Sequence, residues 1–122
     1  MAGTRIAKRP FVGQWRIVDM ELWNTDDLDL LAPAHLTFDR SGLGTLRFRA
    51  IEADIDDRVV QRDGQAAVEF SFEGSDEGDL VSGRGWALLD EEELRGRLFF
   101  HGGDDSACRA SVRTTRRRSP RP

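Results

Sequence analysis

Tyrosine is absent from this 122-residue chain, cysteine occurs once and histidine twice. The lone thiol, Cys108, excludes an internal disulfide and any thiolate metal cluster built within the chain. It is compatible with a reducing compartment. Lysine is almost missing as well: Lys8 is the one lysine among 18 basic residues, a bias of coding rather than of chemistry. Long apolar runs are also lacking. No stretch approaches the roughly 18 residues that a bilayer-spanning helix needs, and Met1 to Pro10 has no apolar core of a secretory leader. The expectation is a cytoplasmic protein without a membrane span.

What the chain does have is charge. Charged residues make up 33% of it and hydrophobic residues 39%, so a modest core under a heavily charged exterior follows. The length suits one domain. The charge is unevenly placed. Residues 1–10 carry Arg5, Lys8 and Arg9, and residues 113–122 carry Arg113, Arg116, Arg117, Arg118 and Arg121, with no acid in either stretch. Setting those eight aside leaves ten of the 18 basic residues against all 22 acids, a net of −12 over residues 11–112. Basic ends invite a nucleic acid, but an acidic body repels phosphate backbones. Nucleic-acid binding is therefore not expected.

Alternation of apolar and polar residues dominates the body. Phe11 to Trp23 reads as a long first strand with a bulge or bend. Asn24 to Asp27 offers a helix cap and first-turn acids before Leu28, Leu30 and Leu31, and Pro33 ends that short helix. Further strands follow over 34–39, 43–52, 53–61, 66–73, 80–89, 94–101 and 106–113. Asp63-Gly64 is a strong hairpin signal, because both residues tolerate positive φ. A polar loop is expected over Gly74–Asp79. Gly83 and Gly85 share a strand face with Ala87 and Leu89, as at a sharp barrel bend. Eight short strands with one helix after the first predict an all-β, eight-stranded antiparallel up-and-down barrel, since closure removes exposed edges. The domain reading is a flexible basic segment at 1–10, one barrel domain at 11–113 and an Arg/Pro-rich tail at 114–122.

Gly13-Gln14-Trp15 at the head of the first strand resembles the Gly-x-Trp signature of the calycin group, which includes lipocalins and fatty-acid-binding proteins. The resemblance implies an indole closing the barrel floor, packed near an arginine of the last strand, for which Arg109 or Arg113 qualifies. The helix after the first strand resembles the fatty-acid-binding branch. That branch reads a ligand carboxylate with Arg-x-Tyr, whereas this chain has Arg109-Ala110-Ser111 and no tyrosine. The blocks Trp15–Trp23, Val68–Gly74, Ser82–Ala87 and Gly96–His101 are similar to a family of small uncharacterised bacterial proteins.

A calycin-like, lipocalin-like barrel implies ligand binding. The candidate ligand-binding residues are Trp15, Asp19, Glu21, Phe38, Phe48, Phe70, Arg84 and Phe100, with Leu36, Leu46, Val68 and Leu98 on the same inward faces. Asp19 and Glu21 share a face with Trp15 in an unbroken strand and would form a polar anchor inside, partnered by Arg84 or Arg97. A bulge after Trp15 would instead turn Val18, Met20 and Leu22 inward and leave both acids in water.

Other constellations are weaker. His101 with Asp104 and Asp105 places an imidazole near two carboxylates, but a Gly-Gly-Asp-Asp turn is first of all a hairpin. His35 lies on a polar face. The acids at Asp54, Asp56 and Asp57, and at Asp76, Glu77 and Asp79, lack the spacing of a calcium loop and read as solvated acidic edges. No glycine-rich stretch is followed by the lysine and helix of a phosphate loop. Cys108 reads as a small packed residue. Trp86, beside Arg84 and Leu88, is placed to stack on an arginine or to form a dimer surface. The expected function is non-enzymatic binding of a small apolar or amphipathic ligand inside the barrel, with no metal and no cofactor. The alternative is a protein-interaction module whose acidic outer face and Trp86 dock a basic partner or a second copy as a homodimer.

Overall fold

A computed structural model of the chain describes residues 9–112. Residues 1–8 of the basic leading segment, Arg113 and the tail at 114–122 lie outside the described residues. A 3₁₀ turn (Arg9–Phe11) leads into β1 (Gly13–Met20) and a one-turn helix α1 (Thr25–Leu28). There follow β2 (His35–Phe38), β3 (Leu43–Phe48), β4 (Ile51–Arg62), β5 (Gln65–Asp76), β6 (Asp79–Asp90), β7 (Glu93–Phe100) and β8 (Asp105–Val112). Each strand pairs antiparallel with its neighbour in sequence, and β1 closes against β8. The expected closed up-and-down barrel is what the chain forms, including the last strand.

Local chemistry explains the boundaries. Asn24 caps α1 by accepting from the Asp27 N–H at 3.2 Å. The polar stretch at Gly74–Asp79 is not the loop expected. The β5–β6 ladder continues to Asp76 opposite Asp79, and Glu77-Gly78 makes the turn with φ of 54° and 91°. Two consecutive positive φ values match the right-handed twist of a hairpin, so a glutamate is held where asparagine is commoner. Likewise β3 stops at Phe48 rather than running to Glu52, because Arg49 adopts φ 55° and turns the chain into β4.

The inward faces form one core. Ile17, Leu36, Phe38, Leu46, Phe48 and Val68 are all at most 2% exposed. Two glycines make this core fit. A Cβ on Gly85 would lie 2.7 Å from the Phe70 ring and 2.9 Å from Leu98 Cδ2. At Gly83 it would meet the Phe99 carbonyl and, at 2.7 Å, the Phe72 ring. The bare backbone of β6 thus leaves room for the two rings of β5, the close approach that a glycine in a strand permits.

Each end of the barrel carries an indole. Trp15, opposite Leu36 and Val112, is 4% exposed, and its Nε1–H donates to the Phe11 carbonyl at 3.0 Å. At the other end Trp23 lies against Phe48 and Phe100, with ring centroids 5.3 and 6.1 Å away. The Arg49 guanidinium sits 5.5 Å over the Trp23 ring.

Candidate functional site

The acids expected inside the barrel lie outside it. The β1–β8 register shifts between Ile17 and Asp19, so Val18 is an extra residue in β1. A bulge reverses the facing of everything beyond it. Ile17 and Met20 therefore both point inward, while Asp19 and Glu21 are exposed. Leu22, expected inward in that arrangement, is 45% exposed, because β1 has already ended. Arg84 also points outward, with its guanidinium 5.6 Å over the Phe99 ring. Arg97 does not reach in either. It bridges Glu21 Oε1 at 3.2 Å and Asp105 Oδ2 at 3.0 Å on the outer surface. Arg109 pairs with Glu93 at 2.9 Å and stands opposite Asp19 on the outer face, so it does not serve the Trp15 floor.

The remaining candidates, Trp15, Phe38, Phe48, Phe70 and Phe100, do face the interior, and there the four phenylalanines pack on other rings. Phe38 and Phe70 lie 5.6 Å apart, Phe48 and Phe100 6.1 Å, and Phe72 and Phe100 5.4 Å, all tilted or edge-on. Such pairs gain beyond their buried area. One acid does occupy the interior. Asp57 is 8% exposed and shares the inward face of β4 with Ile55 and Val59. The alternation of β4 placed it there, but its neighbours Asp54 and Asp56 made it read as part of a solvated acidic edge.

Cys108 is a packed residue. Burial, and secondarily the Asp19 carboxylate, push its thiol up from 9.0 to about 12. A thiol so raised is not a nucleophile at neutral pH. His101 is exposed in the β7–β8 turn, where its backbone N–H donates to the Ser82 carbonyl at 2.8 Å. Asp105 is committed to Arg97, so the imidazole and the two acids form no joint site. His35 contacts the Pro33 carbonyl at 3.2 Å. Among the described residues no group of three or more His, Cys, Asp or Glu is arranged to hold a metal ion.

The outer wall of β4 to β7 carries the most distinctive surface. The register puts Arg84 opposite Phe99 and Trp86 opposite Arg97, a two-by-two checkerboard of arginine and aromatic ring. The Arg62 guanidinium lies 4.1 Å over the Trp86 ring. Arg58 and Glu69 continue the Trp86 row, and Asp56 and Ser71 continue the Arg84 row. All of these side chains except Arg97 line an open groove of about 510 Å³. Trp86 and Phe99 are half-buried, while Arg58 and Arg84 are exposed. The sequence pointed to Trp86 and Arg84. It did not point to Arg58, Arg62 or Phe99, because they sit on other strands and only the register joins them.

Comparisons of the chain with protein-family models, with curated proteins and with solved structures return no match. Among the described residues no helix is long and apolar enough to cross a membrane.

Proposed function

We propose that the protein is a non-enzymatic interaction module that works from the outer wall of its barrel, at the groove around Trp86. The observation that carries this reading is the checkerboard itself. Tryptophan and arginine are the side chains that most often anchor protein–protein contacts, and here two rings and three arginines line one open groove. The interior lends less support to a small apolar ligand held there. Such a ligand must displace rings that already pack on one another at 5.4 to 6.1 Å. An eight-stranded barrel has room for its own side chains or for one small ligand, and the packed rings favour the first.

Selection of displayed peptides on the immobilised full-length protein tests the reading. Enrichment of a common motif, lost on Trp86→Ala with the melting temperature unchanged, supports it. Absence of enrichment, or a motif indifferent to Trp86→Ala, contradicts it.

A further inference from the structure

Resting on that reading, we propose that the groove takes an acidic peptide segment, with carboxylates on Arg58 and Arg84 and an apolar side chain against Trp86 and Phe99. The first observation is which arginines are already engaged. Arg97 is held by Glu21 and Asp105, Arg109 by Glu93, and Arg62 lies over Trp86 with Glu69 at 4.0 Å. Arg58 and Arg84 make no ion pair among the described residues, although residues 11–112 hold 22 acids against ten basic residues. Arg84 lies over the Phe99 ring and Arg58 stands opposite Glu69. In an otherwise acidic body the three arginines of the groove, Arg58, Arg62 and Arg84, outnumber its two acids, Asp56 and Glu69. A guanidinium's planar fork of donors matches a carboxylate in two parallel hydrogen bonds.

The surroundings select the class of anion. The groove contains Asp56 and Glu69, and the next row of the same wall carries Asp54 and Glu73. A nucleic acid repeats its charge along its whole length and would run from the arginines onto those acids. A peptide can place one or two carboxylates and then an apolar side chain, in step with the alternation of Arg84 and Phe99 against Trp86 and Arg97. Complementarity of this kind sets specificity and register.

The experiment uses the full chain and fluorescence polarisation with four labelled probes. One is a short peptide alternating aspartates with leucines, the second and third its asparagine and lysine counterparts, and the fourth a single-stranded oligothymidylate. The acidic peptide binds, and the asparagine peptide binds about tenfold more weakly, as expected for loss of charge-assisted hydrogen bonds. Raising the salt weakens the acidic peptide alone. Arg58→Glu with Arg84→Glu abolishes that binding and transfers the preference to a lysine–leucine peptide, which shows that the doubly substituted protein is folded and competent. Equal binding of the aspartate and asparagine peptides overturns the proposal, as does tighter binding of oligothymidylate or no binding of the acidic peptide. A Trp86-dependent motif without acids in the display selection leaves the interaction reading standing and sinks the acidic partner. Absence of any motif sinks both.

Discussion

Glu21 and Ala107 are joined across the seam that closes the barrel: Glu21 Oε1 accepts from the Ala107 backbone N–H at 3.1 Å. The same oxygen accepts from Arg97 at 3.2 Å, so one exposed carboxylate ties the end of β1 to both β7 and β8. The Glu21 N–H returns a bond to the Ala107 carbonyl at 3.0 Å. Glu21→Ala removes the side-chain acceptor and leaves the backbone pair. A loss of about 1 kcal/mol is expected from chemical denaturation, the ordinary worth of one hydrogen bond plus an exposed ion pair. Glu21→Gln keeps the acceptor and should cost less than half of that. Equal losses for the two would show that charge, not the Ala107 bond, carries the effect.

Gly85 and Phe70 make a second testable pair. Gly85→Ala pushes a methyl into the Phe70 ring and Leu98, both within 3 Å of the new carbon. Overpacking of this kind costs about 2 kcal/mol. Phe70→Leu in the same chain should recover part of it, so the double variant is less destabilised than the sum of the two singles. Strict additivity would mean that the Arg97 backbone carbonyl, at 2.8 Å, sets the limit instead.

Cys108 gives the fold an alkaline limb that can be read alone. Its proton is held in the folded state up to about 12 and lost from the unfolded chain near 9.0. A raised folded value stabilises fully below the unfolded value and is lost as pH climbs toward the folded one. Stability should therefore be flat below pH 9 and fall by about 1.4 kcal/mol per unit between pH 9 and 12. The chain contains no tyrosine, and Lys8 is its one lysine, so few other side chains titrate in that window. Cys108→Ala should flatten the limb. An unchanged slope in that variant would contradict the assignment.

Cap chemistry at α1 is a smaller effect. Asn24→Ala removes the acceptor of the Asp27 N–H and should cost about 1 kcal/mol, with Asn24→Asp tolerated. Comparable losses for both variants would point to a contact of Asn24 other than the cap.

The fold was legible where alternation was clean. The Ala66–Phe72 run, the Asp63-Gly64 turn and the inward glycines of β6 all signal a meander that closes. Two turns were not legible, because Arg49 and Glu77 take positive φ without the residue types that usually advertise it. For Asp19 and Glu21 the sequence left two facings open, and the bulged one is what forms. A single extra residue at Val18 reverses the facing of β1, and nothing in Val18-Asp19-Met20 fixes whether a bulge occurs. Arg84 was read inward by analogy with a ligand anchor, although the alternation of β6 already set it on the face opposite Gly83 and Gly85. The groove was partly legible, since Trp86 and Arg84 share a strand face. Its other members come from β4, β5 and β7 and needed the cross-strand register.

Titration of the full-length protein with a fluorescent long-chain fatty acid, beside the same titration of Phe100→Ala, tests most directly whether the barrel is filled. No saturable uptake is expected from the wild type, nor from Phe100→Ala, which removes a ring packed against Phe48 and Phe72 and opens space for a benzene-sized molecule but not for an acyl chain. Saturable one-to-one uptake by the wild type, weakened in Phe100→Ala, would contradict a filled barrel.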